Sequence, residues 1–245
     1  MSDKTHGLSG KRIVLTGATG GVGRATAERL ASAGARLALI GRRPEPLAEL
    51  AAKLGAEPLA GDVTSSGFVS SLPSALERAW GGPADVLINN AGAFELSPLV
   101  ETRPEAFQRV VAVNLQAAFE LTRVLLPPML ARGTGHVVNI GSIAGRSAFP
   151  GNAAYSASKF GLLGLHRVMV EELRGTGVKA SWIEPAAVDT PLWDPLDPDS
   201  RSDLPSRADM LKPEAVADAV YFAVAQPQEV NIEEIAIRAN PPSGG

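Results

Sequence analysis

Short apolar runs alternate along the chain with longer stretches that are rich in alanine. The runs are typical of strands buried on both faces of a parallel sheet. The predicted strands are residues 12–16, 36–40, 85–89, 136–140 and 178–183, with a last strand within 232–237. The stretches between them are long enough for crossover helices. The predicted helices are residues 22–33, 45–54, 66–79, 104–130 and 153–174, with a further helix from Pro213. This order predicts an α/β fold, a doubly wound parallel sheet with helices on both faces.

One segment interrupts this regular order. Residues 191–212 contain four prolines and many charges. Loops longer than about 12 residues are often functional, and this one follows a strand at the edge where doubly wound sheets bind ligands. We therefore predict a substrate lid over residues 191–212, in which Trp193 covers an apolar substrate. The alternatives are a plain surface connection and, for Trp193, a place in a protein interface.

Composition limits the class of protein. The chain has 245 residues, is 45% hydrophobic and has a net charge of −3. These values predict one large domain over residues 1–245 and give no sign of a nucleic-acid or membrane-surface partner. The polar start lacks a secretory signal, and no apolar run approaches the roughly 18 residues of a membrane span. We expect a soluble, cytoplasmic protein.

Metal chemistry is not expected. The chain has no cysteine, which excludes thiolate ligands and disulfides. His6, His136 and His166 are scattered along the chain, and the acidic residues show no ligand spacing.

A glycine-rich turn follows the first strand, in "TGATGGVG" at residues 16–23. Glycines allow a tight turn and close approach of a pyrophosphate, while the N-terminus of the next helix offers N–H groups and a positive dipole end. A glycine cluster can also be an ordinary loop. Its position between a strand and an alanine-rich helix favours a dinucleotide site.

The end of the second strand bears on the choice of cofactor. A fold that selects NAD usually offers an acid there to the ribose hydroxyls, but this chain has Gly41 followed by Arg42 and Arg43. An arginine can pair with the 2′-phosphate of NADP. The alternative is two solvated arginines at the start of a helix. We predict NADP, with NAD possible.

Five motifs together resemble those of the short-chain dehydrogenase/reductases. They are "TGATGGVG" at 16–23, "NNAG" at 89–92, Asn114 in "VNLQ", Ser142 in "NIGSIAG" and "YSASK" at 155–159. The resemblance covers nearly the whole chain. It implies a single-domain Rossmann fold with a seven-stranded parallel sheet. The implied activity is hydride transfer that interconverts a carbonyl and a secondary alcohol.

The resemblance also implies which residues contact the cofactor. They are Gly17, Thr19, Gly21, Val22, Gly23, Arg42, Arg43, Asp62, Val63, Asn90, Ala91, Gly92, Tyr155, Lys159, Val188 and Thr190. Asp62 has an alternative as a turn or helix-cap residue. Ala186 stands where the family usually has glycine, and its methyl restricts the backbone that leads to Val188 and Thr190.

Tyr155 and Lys159 are four residues apart, which places them on one face of a helix. A phenol with a pKa of about 10 is a poor base at neutral pH, and a nearby ammonium is expected to lower that pKa. Tyr155 is therefore predicted to exchange a proton with the substrate oxygen, and Lys159 to lower the pKa and bind the ribose.

Ser142 and Asn114 complete the predicted catalytic set. Ser142 follows a strand, where its hydroxyl would position the substrate oxygen, although serine is also a common turn residue. Asn114 is a poor helix former inside a predicted helix, and the family uses it to hold a water of the proton path. Its alternatives are a helix irregularity or an exposed amide.

Three further expectations concern the whole protein. The resemblance implies a homodimer or homotetramer, formed through the apolar helix that follows Lys159. The C-terminal "VNIEEIAIRANPPSGG" is similar to that of members acting on small 3-hydroxy acids. A nucleotide-binding sensor or scaffold without turnover is the competing function, and loss of Tyr155 or Lys159 would have favoured it.

Overall fold

Seven parallel strands form one sheet in the computed structural model, which describes residues 7–240. The strands are β1 Arg12–Thr16, β2 Arg36–Gly41, β3 Glu57–Ala60, β4 Val86–Asn89, β5 Gly135–Ile140, β6 Val178–Pro185 and β7 Glu234–Ile237. Their order in the sheet is β3-β2-β1-β4-β5-β6-β7. The chain reverses its direction of winding between β1 and β4, so a crevice opens there at the carboxyl ends of the strands. The predicted single-domain Rossmann fold is confirmed.

Helices cover both faces of the sheet. They are α1 Gly21–Ser32, α2 Pro44–Leu54, α3 Ser66–Trp80, α4 Pro104–Val111, α5 Ala117–Leu125, α6 Pro127–Arg132, α7 Ala153–Leu173 and α8 Pro213–Val224. Alternate residues of each strand point to opposite faces. In β1, Ile13 and Leu15 join an apolar cluster with α1, α2 and α8, whereas Val14 joins a cluster with α3, α5 and α7. The core therefore has two layers, one on each side of the sheet.

The long helix predicted over residues 104–130 is wrong as a single element. It is divided into α4, a π-helical turn at Ala112–Gln116, α5 and α6. The π turn contains Asn114, whose side chain is buried and bonds to a neighbouring loop. Pro127 cannot donate an N–H to the preceding turn, so α5 ends at Leu125 and a new helix begins.

The same helical stretch meets the length and hydropathy criteria for a membrane span, which the sequence analysis did not predict. Residues Pro104–Arg132 are long and apolar enough to cross a membrane by length and composition alone, with 33% of the apolar window buried. In the structure α4 packs on α7 and α5 packs on α3. Core helices of soluble proteins pass the same test, so this stretch is weak evidence for a membrane.

Two histidines lie buried in this fold. Ser181 donates its hydroxyl proton to the Ile232 carbonyl, so its oxygen accepts from Nε2 of His136 at 2.8 Å. Burial lowers the pKa of His136 to about 3, and the charges of nearby lysines add to this. On α7, Nδ1 of His166 accepts from the Asn139 amide at 3.2 Å, and burial lowers its pKa to about 4. Both rings are neutral in the folded chain near neutral pH.

These two histidines predict a loss of stability in acid. As the pH falls from 6.5 towards about 4, histidines of the unfolded chain bind protons while His136 and His166 do not. His136 and His166 each lower the free energy of unfolding by about 1.4 kcal/mol for every pH unit in this range. Urea unfolding between pH 7 and pH 5 measures this slope. His166→Gln removes the titrating group and should reduce the slope, whatever it does to stability at pH 7. An unchanged slope in both His166→Gln and His136→Gln would contradict the assignment.

Candidate active site

The turn between β1 and α1 has no room for side chains at two of its glycines. Gly17 has a φ of +66°, and a Cβ there would lie 2.8 Å from Cα of Ala91. A Cβ on Gly23 would lie 2.1 Å from the carbonyl oxygen of Gly17. Glycine thus allows the turn to pack closely against its neighbours. No side chain caps the N-terminus of α1 at Gly20, so the first N–H groups of the helix are open to an anionic ligand. This cradle fits the pyrophosphate of a dinucleotide.

Two polar side chains brace this turn. The Thr16 hydroxyl accepts from the backbone N–H groups of Asn90 and Ala91 at 3.0 and 2.9 Å. The Asn90 side chain donates to the carbonyls of Thr16 and Gly17 at 2.8 and 3.2 Å. Asn90 thus ties the end of β4 to the glycine turn. The sequence analysis missed Thr16, although a hydroxyl closing an otherwise apolar strand is a usable signal.

A cavity of about 1150 Å³ lies over the carboxyl ends of the strands. Every predicted cofactor residue lines it, as do Ser142, Tyr155 and Lys159. Asn114 does not line it. The sequence motifs therefore meet at one place, between the glycine turn and the start of α7.

The nucleotide end of the cavity carries the predicted phosphate site. Arg42 and Arg43 are exposed and line the cavity after β2. Asp62 also lines it, but one of its carboxylate oxygens accepts from the N–H and the hydroxyl of Thr64 at 2.9 and 2.8 Å. These bonds, and more weakly the charge of Arg42, lower the pKa of Asp62. The turn alternative for Asp62 is therefore present alongside its place at the cavity.

The loop from Ala186 to Thr190 forms the opposite wall. Ala186 donates its N–H to the Ile237 carbonyl at 2.9 Å, and Val188 pairs with Leu211. A Cβ on Gly21 would lie 2.6 Å from the Thr190 side chain, so this loop touches the glycine turn. Although Ala186 carries a methyl where the family usually has glycine, Val188 and Thr190 still line the cavity.

Tyr155 and Lys159 lie together in the first turns of α7. Nζ of Lys159 is 5.6 Å from the centre of the Tyr155 ring and donates to the Ile140 carbonyl at 2.8 Å. Burial lowers the pKa of Lys159 to about 8. Burial raises the pKa of Tyr155, and the Ser142 hydroxyl, which bonds to the phenol oxygen, opposes this rise only in part.

The expected lowering of the Tyr155 pKa is therefore reversed in the chain alone. The cost of moving a phenolate away from water exceeds the stabilisation from neighbouring groups. The ammonium of Lys159 is turned to a backbone carbonyl of β5. At neutral pH the phenol is protonated, which is the form that donates a proton.

Asn114 does not line the cavity but bonds to residues next to it. Its side-chain oxygen accepts from the Ala93 N–H at 2.7 Å, and its amide donates to the Ala93 carbonyl and to Ser158 at 2.9 Å each. Ser158 in turn donates to the Tyr155 carbonyl at 2.7 Å. A helix irregularity is thus present at Asn114, and the exposed-amide alternative is wrong, because Asn114 is buried in the π turn.

The substrate end includes residues that the motifs did not identify. Phe94 lies edge-on to Tyr155 with ring centres 4.9 Å apart, and its ring is 5.1 Å from that of Trp193. Its loop is joined to the loop before α7 by a hydrogen bond from the Ser97 N–H to the Gly151 carbonyl at 2.8 Å. An aromatic residue shortly after "NNAG" was the available signal for Phe94.

Residues 191–212 extend over this end as three short 3₁₀ helices at Pro191–Leu196, Pro198–Ser200 and Arg207–Asp209. Arg207 pairs with Asp189 at 2.7 Å and with Asp194 at 2.6 Å. Lys212 pairs with Asp189 at 2.9 Å. These ion pairs hold the segment, including Trp193, against the loop that follows β6.

A metal site is not found among residues 7–240, where no group of three or more histidines and acids could hold an ion. His6 lies outside the described residues.

Known proteins similar to this chain are short-chain oxidoreductases. The family model for short chain dehydrogenases matches residues 11–201. An uncharacterized oxidoreductase of Staphylococcus epidermidis is 32% identical over 93% of this chain and 96% of its own. A metagenomic short-chain oxidoreductase, solved in complex with NADP, is 33% identical with a TM-score of 0.82, covering 96% of this chain and 99% of its own. Serine dehydrogenase of Escherichia coli is 29% identical with a TM-score of 0.80, covering 92% and 96%.

The family match begins just before β1 and includes all five motifs. The same motifs line the cavity or, in the case of Asn114, support it from behind. The family consists of oxidoreductases that bind NAD(P) and act on CH–OH groups. This chain belongs to the short-chain dehydrogenase/reductase family.

Proposed function

We propose that the chain is an NADP-dependent oxidoreductase that interconverts a carbonyl and a secondary alcohol, with Tyr155 as acid/base. The observation that carries the proposal is the shared cavity. The Tyr155 phenol, beside Ser142 and Lys159, lines the same space as the bare glycine turn. A nucleotide and a carbonyl compound can therefore meet next to a proton donor.

The chain's own residues would hold the cofactor along this cavity. The backbone at Gly17, Gly21 and Gly23 receives the pyrophosphate, and Arg42 receives the 2′-phosphate. Lys159 binds the ribose near Tyr155. When bound, the reduced cofactor supplies the hydride that the carbonyl carbon accepts.

Tyr155 handles the proton of the same reaction. In the direction of reduction, its protonated phenol donates to the carbonyl oxygen as the hydride arrives at carbon. Ser142 bonds to that oxygen and orients it. Asn114 acts as a positioning residue, because it reaches Tyr155 only through Ser158.

The segment 191–212 is proposed as the substrate lid. Its Trp193 reaches the aromatic ring next to Tyr155. Substituting Trp193 and following turnover measures whether the segment reaches the substrate.

A cytoplasmic homodimer or homotetramer is proposed as the working form. Phe119 on α5 and Phe160 and Val168 on α7 are 45%, 47% and 55% exposed, and a second copy that covered them would remove this apolar surface from water. Light scattering measures the mass of the purified chain.

A small 3-hydroxy acid is a second candidate for the substrate. Its support is the C-terminal resemblance together with the solved neighbour named serine dehydrogenase. The charges around the cavity oppose it, since Arg201, which lies in the lid segment and lines the cavity, is paired with Asp203.

Tyr155→Phe tests the acid/base role. Loss of the proton donor should lower kcat/KM for carbonyl reduction by about 100- to 10,000-fold, while fluorescence titration shows NADPH still bound. Tyr221→Phe, at the chain's other tyrosine on α8, is the matched control and should keep its activity. If the parent chain binds NADPH but reduces none of a panel of aldehydes, ketones and 3-oxo acids, the sensor or scaffold function replaces this proposal.

Arg42→Ala tests the cofactor preference. Removing a charge-assisted bond to the 2′-phosphate should weaken NADPH binding by about 10- to 100-fold and leave NADH binding nearly unchanged. Arg36→Ala, at the opposite end of β2, is the matched control. Equal losses for NADPH and NADH would remove the argument for phosphate recognition.

A further inference from the structure

The substrate end of the cavity differs in chemistry from its nucleotide end. Around Tyr155 the lining side chains are mainly apolar: Phe94, Leu96, Phe149, Pro150, Leu192 and Trp193. We infer that the substrate is an uncharged carbonyl compound with an aromatic or similarly bulky apolar group, held against Phe94 and Trp193. This inference rests on the proposed oxidoreductase function and adds the substrate class to it.

The aromatic side chains form a continuous surface that ends at the proton donor. The Phe94 ring meets the Tyr155 ring edge-on, at an interplanar angle of 79°. Phe94 also meets the Trp193 ring, at an interplanar angle of 58°. Aromatic side chains bind apolar and aromatic groups through a large contact area and preferred edge-to-face or offset geometries. A ring attached to the reacting carbonyl would therefore find partners within reach of Tyr155.

The charges around the cavity oppose an acidic substrate. Within residues 7–240, the cationic side chains that line it are Arg42, Arg43, Lys159 and Arg201. The first two lie at the nucleotide end, and Lys159 is buried and bonded to the backbone. Arg201 forms a two-bond pair with Asp203 at 2.7 and 3.1 Å, and both residues line the cavity. A carboxylate would thus enter a mainly apolar space and would have to displace Asp203 in order to pair with Arg201.

Two exposed side chains that line the cavity are also apolar. Phe149 and Leu192 are 44% and 45% exposed, and both line the cavity. Covering them with an apolar substrate removes hydrophobic surface from water. The walls are already assembled, because the Ser97–Gly151 bond and the Arg207 ion pairs fix the loops on either side.

Paired substrates test the class directly. Acetophenone and 4-acetylbenzoate share the ring and the ketone and differ by one carboxylate, while acetoacetate represents the small 3-oxo acids. With NADPH, kcat/KM for acetophenone should exceed that for either acid by at least about tenfold. Preferential turnover of an acid would overturn the inference and leave the oxidoreductase function intact. No turnover of any carbonyl would instead overturn the function itself.

Variants identify the side chains responsible. Trp193→Ala and Phe94→Ala should each lower kcat/KM for acetophenone by about tenfold relative to 2-butanone, and Trp193→Phe should restore part of the loss at 193. Phe222→Ala, at an exposed position on α8, is the matched control and should leave the ratio unchanged. An unchanged ratio in both alanine variants of the cavity would contradict the aromatic surface.

Asp203→Asn tests the charge argument independently. It releases Arg201 from its pair and should raise kcat/KM for 4-acetylbenzoate relative to acetophenone by about tenfold. The double variant Arg201→Ala with Asp203→Asn should lose this gain. If releasing Arg201 leaves the ratio unchanged, the pairing of Arg201 does not determine the preference against acids.

Discussion

The close approach of the β1–α1 turn to the end of β4 is the constraint on which the site depends. Cβ atoms at Gly17 or Gly23 would overlap with backbone, so these two positions require glycine. Thr16 and Asn90 then bind the two segments together through four hydrogen bonds. The same contact opens the helix N-terminus and directs the chain after β4 towards the substrate end. Nucleotide binding and substrate binding therefore share one structural support.

Burial determines the pKa values of Tyr155 and Lys159 at the substrate end of the cavity. Removing water raises the pKa of Tyr155 and lowers that of Lys159 to about 8, so two groups whose pKa values are nearly equal in water lie well apart in the folded chain. The phenol carries its proton at neutral pH, and the lysine is easily discharged in mild alkali. A bound anionic cofactor would favour the charged form of Lys159. The proton donor is thus protonated before a nucleotide arrives, and a bound nucleotide would raise the pH at which Lys159 loses its charge.

Much of this arrangement could be predicted from the sequence, because strand patterning and motif spacing both report on the backbone. The apolar runs located β1, β2, β4, β5 and β6, and the motifs that follow strands meet at the sheet edge. The division of the 104–130 helix was not predicted, since a π turn depends on a tertiary bond from Asn114 to Ala93. For a similar reason, the pKa of Tyr155 in the chain without cofactor is raised, where the sequence predicted a lowering. Sequence spacing shows which charge is near, but the loss of water depends on every segment that covers the residue.

Because of the π turn, the number of residues in this helical region affects the shape of the cavity wall at Phe94. Asn114 holds both backbone groups of Ala93, and the next residue in the chain is Phe94. Deleting one residue from Ala112–Gln116 would restore regular helix but turn α5 by about 100° relative to α4. Either the apolar face of α5 would turn away from the core, or Asn114 would no longer bond to the backbone of Ala93. Homologous chains with an insertion or deletion in this helix would therefore be expected to differ in the wall next to the reacting carbonyl, even where every motif residue is retained.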